Sequence, residues 1–197
     1  MATKISNFIG DIAQGVKPNM FSVEIPFPES IGTPNINTNL LCKAAALPAA
    51  QLGVIEVPFR GRTIKIAGDR TFDTWTATFF NDKGMITRSY FEKWLEQMNT
   101  HDGNTAPLFV LNENDGYAKR IKVTQLQKDT SADGTALRTY ELNFAFPTSV
   151  SQIDLAYDAN DQIEEFTVEW QYSYFQAEAG SRDGVSGIGV VLSLIHI

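Results

Sequence analysis

Residues 71–82, TFDTWTATFFND, alternate Thr and Asp with Phe, Trp and Ala. A period of two sends successive side chains to opposite faces, so this stretch predicts a half-buried strand. Thr71, Asp73, Trp75, Ala77 and Phe79 share one face, and Phe72, Thr74, Thr76, Thr78 and Phe80 the other. The same period recurs in MFSVEIPF, where Phe21, Val23 and Ile25 oppose Met20, Ser22 and Glu24. Over residues 38–67, LLCKAAALP, QLGVIEVPF and TIKIAG predict two or three strands, with RGR as a turn. RIKVTQLQ and ALRTYELNFAF flank KDTSADGT, whose Asp-Gly pair is a hairpin signal. In the second run Leu137, Thr139, Glu141 and Asn143 point one way, and Tyr140, Leu142, Phe144 and Phe146 mostly the other. PTSVSQIDLAYD predicts a further strand. IEEFTVEWQYSYF predicts the last, with Phe166, Val168, Trp170, Tyr172 and Tyr174 on one face.

One segment changes period. In KGMITRSYFEKWLEQMN, Ile86, Tyr90, Phe91, Trp94, Leu95 and Met98 form a stripe at spacings of three to five. That is an amphipathic helix, introduced by Asn-Asp and Gly84 and stopped by NTHDGNTAP. Ile5, Phe8, Ile9 and Ile12 have helical spacing too, compatible with a short N-terminal helix or a docking arm. The expected fold class is mainly β: an antiparallel sandwich or barrel flanked by one helix.

Composition narrows the function. The 197 residues are 43% hydrophobic and 20% charged, the balance of a globular domain. A net charge of −7 argues against gripping nucleic acid, which needs clustered Lys and Arg. It does not prevent the chain from surrounding DNA without adhering to it. The single cysteine, Cys42, permits no internal disulfide and no multi-cysteine zinc site. MATKISNFIGDIAQGV has no long apolar run, so no signal peptide is expected, and no stretch approaches the roughly 20 apolar residues of a membrane span.

Catalytic and metal chemistry find little support. His101, in NTHDGN, reads as a solvated loop residue, and Cys42, in an apolar strand, as an inert thiol. There is no G-x-S-x-G, and GRTIKIAGDR has neither Walker nor Rossmann spacing. Asp158, Asn160 and Gln162 alternate as in a calcium loop, but the position that requires glycine is Ile163. Glu164, Glu165 and Glu169 are explained by a solvated strand face. No catalytic residue, metal site or cofactor is therefore expected. PFRGRTIKIAGDR stands out because Arg60, Arg62, Lys65 and Arg70 cluster there in an acidic chain. It reads either as a solvated charged hairpin or as a docking surface for a negative partner, including another copy.

VPFRGRTIKIAGDRTFDTWTATFFND, then YFEKWLEQMN, then FTVEWQYSYF resembles the tail tube proteins of contractile-tailed, T4-type bacteriophages. The resemblance runs through residues 1–176 in order, and its R-G-R, G-D-R, W-x-x-T-F-F-N-D and F-x-x-W pieces are specific in combination. It implies a single tail-tube domain over 1–176 that assembles as hexameric rings stacked into a hollow tube. It implies as partners other copies of itself, a sheath, a baseplate and a tape-measure protein, with DNA passing through the lumen without specific binding. It also implies a structural virion protein, assembled in the bacterial host cytoplasm. Arg60, Arg62 and Arg70 would then lie near subunit or ring contacts, and Phe91, Trp94 and Leu95 would pack the helix onto the sandwich. A tube of a secretion system or phage-tail-like bacteriocin is the nearest alternative. A monomeric β-barrel module with Trp75 and Trp170 lining a ligand pocket is the alternative of a different class.

Residues 177–197 read as a flexible, Gly/Ser-rich tail. Its last six, Leu192–Ile197 (LSLIHI), read either as an apolar strand or as the translation of a transposase-type sequencing adapter.

Overall fold

A computed structural model describes Ile5 and residues 15–34, 38–107, 110–127, 135–158 and 162–179. The expectations for the other N-terminal residues, the Asp-Gly turn and the tail beyond Ala179 lie outside the described residues. The described strands are β1 (Phe21–Glu24), β2 (Cys42–Ala45), β3 (Ala50–Phe59), β4 (Arg62–Phe72), β5 (Trp75–Phe80), β6 (Lys119–Gln127), β7 (Thr135–Val150), β8 (Glu165–Gln171) and β9 (Tyr174–Ala179). The helix α1 (Ile86–Met98) lies between β5 and β6.

All pairing is antiparallel, and β7 belongs to two layers. Its first half lies between β6 and β9, with β1 beyond β6; its second half pairs with β8, followed by β5 and β2. The two layers and the helix fill one core. Val23, Ile121, Val123 and Leu142 come from the first layer, Trp75, Ala77, Phe79, Phe166, Val168 and Trp170 from the second, and Phe91 and Trp94 from α1. The β3–β4 hairpin forms a separate two-stranded sheet.

Long β7 accounts for the phase of its own sequence. Phe144 has φ 55°, a left-handed conformation rare for a bulky residue, and its N–H donates to Glu113 Oε1 at 3.1 Å. The register against β6 shifts there, so that Leu142 and Ala145 both face the core. The expectation that Phe144 and Phe146 follow Leu142 inward is thereby corrected: Ala145 and Pro147 take those places. A second shift lies between Pro147 and Ser149, opposite Trp170 and Glu169. Pro147 is tolerated because this half of β7 pairs on one side only among the described strands.

Three other boundaries differ from the sequence reading. The 71–82 strand is interrupted at Asp73 and Thr74, where the hairpin ends and β5 begins. The strand expected over 147–158 is instead the end of β7 followed by irregular chain from Ser151. IEEFTVEWQYSYF breaks at Tyr172 and Ser173 into β8 and β9, which pair with successive halves of bent β7.

The helix begins where an acid holds its free donors. Asp82 accepts from the backbone N–H groups of Gly84 (3.0 Å), Ile86 (3.1 Å) and Thr87 (2.9 Å). Burial pushes its carboxyl upward, but these hydrogen bonds outweigh it and hold the pKa below the ordinary 3.8. Phe91 then packs against Phe79, Phe166, Trp170 and Phe27, and Trp94 stacks edge-on against Trp170 while its Nε1 donates to Tyr117 O at 2.8 Å.

Truncating Phe91 to Ala should lower unfolding free energy by about 3–5 kcal/mol, read from denaturant midpoints at constant slope. Asp82→Ala should cost about 1 kcal/mol at neutral pH. The Asp82 carboxyl is depressed in the folded state, so its contribution is present above the unfolded pKa and lost as pH falls through the folded one. The stability gap between wild type and Asp82→Ala should therefore close below pH 3.8, and urea titrations at a series of pH values would show it.

Candidate assembly surface

The β3–β4 hairpin turns on two residues, Arg60 (φ 45°) and Gly61 (φ 77°). Both are left-handed, as a two-residue turn matched to strand twist requires, and only the glycine adopts that conformation without cost. Nearer the base, Gly53 and Gly68 face each other at a register shift, and a Cβ on either would come within 3.2 Å of opposing backbone.

Pairing sorts the ribbon into two faces. Ile55 opposes Ile66, Val57 opposes Ile64 and Phe59 opposes Arg62 on one face; Val54–Ala67, Glu56–Lys65 and Pro58–Thr63 occupy the other. The apolar side chains of the first face are 41–58% exposed, so the other described residues leave each of them about half open. Both long edges of the ribbon are also unpaired among the described strands. Covering five such side chains is worth on the order of 5 kcal/mol, counting only their exposed half. The opposite face carries an exposed Lys65–Glu56 ion pair at 3.6 Å, which contributes little.

The base is held firmly. Gln51 Nε2 donates to both Asp73 carboxylate oxygens (3.2 and 3.0 Å), and the Tyr172 hydroxyl donates to Ala49 O (3.1 Å). Phe72 packs between Tyr172 and Phe175. Burial, with the Asp73 carboxylate nearby, pushes the Tyr172 hydroxyl above its ordinary range and keeps it a donor.

Of the basic residues, Arg60 and Arg62 sit together at the tip, while Arg70 pairs with Leu52 beyond the register shift, on the face opposite Arg62. The three do not form one cluster: Arg70 is eight residues down the strand, about 26 Å away. In the helix stripe Phe91 and Trp94 are fully buried and Leu95 partly so. Trp75 and Trp170 line no pocket; they are buried against each other, which corrects the ligand-pocket expectation.

Two further surfaces are unpartnered. The outer face of the first layer is polar: Glu24, Lys122, Glu141 and Gln176 form one row, and Ser22, Thr124, Thr139 and Glu178 the next. Lys122 Nζ bonds Glu141 Oε1 at 3.1 Å, and this contact raises the ammonium pKa. The edges of this layer, β1 and β9, each pair on one side only among the described strands. At the far end of β5 and β8, Phe80, Ile153, Leu155, Tyr157 and Ile163 line an open cleft of about 1070 Å³ bordered by Asp154, Glu164 and Glu165.

Reactive chemistry is sparse. Burial pushes the Cys42 thiol up to about 11, partly offset by a contact with Ala44 O, so it is not a nucleophile at neutral pH. The His101 side chain is 80% exposed, 4.0 Å from Glu96. No group of three His, Cys, Asp or Glu among the described residues could hold a metal, and no described helix is long and apolar enough to cross a membrane.

The family described as phage tail tube protein matches residues 16–178. The tail tube protein gp19 of Enterobacteria phage T4 is 35% identical over 167 residues, covering 85% of this chain and 93% of that protein. The chain belongs to the phage tail tube protein family. The tail tube protein of Serratia phage KSP90 is 28% identical over 182 residues, covering 90% of this chain and 97% of its own. The fold is also that of subunits in the anti-feeding prophage baseplate (TM-score 0.59, 14% identity, 84% of this chain and 96% of that one) and in the sheath–tube complex of an extracellular contractile injection system, PVC (TM-score 0.54, 17% identity, 90% and 99%). The tail tube family thus explains a domain whose conspicuous features are unpartnered surfaces.

The cleft escaped the sequence reading because Ile153, Leu155 and Tyr157 alternate like a strand. Leu155 and Tyr157 are in fact outside, at 81% and 108% exposure. In this tube family member the β3–β4 amides of the free chain should exchange at least about 100-fold faster than those of β8, since no layer covers them. Hydrogen exchange on dilute protein measures this directly.

Proposed function

We propose that the chain polymerises as stacked hexameric rings into the inner tube of a contractile phage tail, the conduit through which DNA leaves the virion. The observation that carries this is the hairpin face of Ile55, Val57, Phe59, Ile64 and Ile66, five large apolar side chains left exposed side by side on one face of a two-stranded ribbon that stands apart from the core. Kinship with gp19 of phage T4 supports it. Residues 1–176 act as one tube domain, and Arg60, Arg62 and Arg70 lie at subunit or ring contacts. The polar outer face of the first layer lines the lumen, where interleaved Glu, Lys and Thr offer DNA no continuous cationic surface. Its open edges, β1 and β9, meet neighbours in the ring, which closes strands that would otherwise invite uncontrolled pairing. Sheath, baseplate and tape-measure proteins are the other partners, assembly takes place in the host cytoplasm, and the role is structural, without catalysis or cofactor.

The test is electron microscopy of concentrated full-length protein, alone and seeded with baseplates, beside Val57→Asp/Ile64→Asp. Wild type should give hollow tubes of uniform width with six-fold end views. The variant should stay unassembled with its melting temperature nearly unchanged, because both sites are exposed in the free chain. Wild-type protein that remains monomeric even with a seed, or a variant that polymerises equally well, overturns the reading.

A further inference from the structure

The acid-bordered cleft and the base of the basic hairpin lie at opposite ends of β5. β5 leaves the hairpin base at Trp75, paired with Trp170, and reaches the cleft at Phe80, paired with Glu165. Five residue steps of strand separate the hairpin base from the cleft, about 17 Å. We propose that the hairpin tip of one copy inserts into the cleft of another copy stacked head to tail on it, a contact that rests on the tube reading above and names its receptor.

The chemistry of the two surfaces matches. The tip presents Phe59, Ile64 and Val57 together with Arg60 and Arg62, neither of which has an ion-pair partner among the described residues. The cleft presents Leu155, Tyr157 and Ile163, each at least 67% exposed. Of its carboxylates, Glu165 is taken by Lys43, whereas Asp154 accepts only from Gln152 (3.3 Å) and Glu164 only from Asn81 (2.8 Å), so both lack a cation among the described residues. In the docked pair two guanidinium groups without a carboxylate partner, Arg60 resting over the Phe59 ring at 5.5 Å, would meet two carboxylates without a cation, each set around an apolar centre. The cleft, at about 1070 Å³, has room for the tip's side chains.

Polarity strengthens the assignment. A tip that fits a recess joins two different surfaces, so the contact is heterologous and repeats from copy to copy. Each copy therefore offers one tip and one recess along the direction of growth.

Charge reversal tests the pairing. Arg60→Glu/Arg62→Glu and Asp154→Lys/Glu164→Lys should each reduce the sedimentable polymer at least about tenfold, since each sets like charges together. Mixing the two variants should restore polymer, because every contact in an alternating stack is again complementary. Wild-type tubes with both reversals assembling normally, or with no recovery on mixing, would overturn the cleft as receptor and leave the tube reading standing. Wild type that makes no tubes removes both. A second measurement does not depend on charge: a Thr63→Cys/Gln162→Cys chain, assembled and treated with a short bis-maleimide, should give a ladder of dimers, trimers and higher species. Cys42 stays silent, its thiol pushed up to about 11. A pattern that stops at dimers, or no cross-link within intact tubes, rules the proposal out.

Discussion

The fold depends on one strand changing sheets. β7 is 16 residues long and must serve the polar-faced first layer with its first half and the aromatic layer with its second. A regular strand of that length would keep one face inward throughout. The left-handed turn at Phe144, whose N–H is held by Glu113 from a distant loop, resets the phase once, and the shift after Pro147 resets it again. Because of these two irregularities Leu142, Ala145 and Pro147 all reach the interior, and β8 and β9 can follow one another along the same bent partner. The aromatic packing of Phe91 and Trp94 on Phe166 and Trp170 is possible only after that bend has brought β8 beneath the helix.

Much of this was legible in the chain itself. Trp75, Ala77 and Phe79 alternate as they pack, Phe91 and Trp94 carry the helix stripe inward, and Arg60–Gly61 forms the turn that RGR announces. What was not legible has a common physical origin: periodicity reports which side chains share a face, not what covers that face. Leu142-Asn143-Phe144-Ala145-Phe146 reads as unbroken alternation because nothing local marks Phe144 as left-handed; its hydrogen-bond partner is 31 residues away. QLGVIEVPF reads as a strand and is one edge of an exposed ribbon, and QIDLAYD reads as a strand and borders a cleft. In each case the missing partner is distant in the chain or lies outside it, and a local pattern carries no information about either.

Reactive and small-molecule chemistry is sparse among the described residues for a related reason. Sites that bind or react gather polar groups in concave, shielded places. Here the aromatic residues that could have lined such a place are spent on the interior, with Trp75, Trp94 and Trp170 all buried. The ribbon and the open cleft each gather several exposed apolar groups, in shapes suited to another protein surface and not to a small molecule. Family kinship and surface anatomy therefore point the same way through independent reasoning.

A two-stranded ribbon with both edges open is marginal in water. The contacts at Gln51, Phe72 and Tyr172 hold its base, and among the described strands no layer packs on the tip. On the proposed tube reading, ordering the tip and docking it are one event: the apolar face gains its cover at the moment the backbone loses its freedom. For a free pair of subunits that cost falls on a single contact. A completed ring presents the incoming copy with several receptors at once and with neighbours that already close its sheet edges. Growth on an existing ring is then favoured over starting a new one, so on that reading the same unpaired hairpin would both build the tube and restrict where it begins.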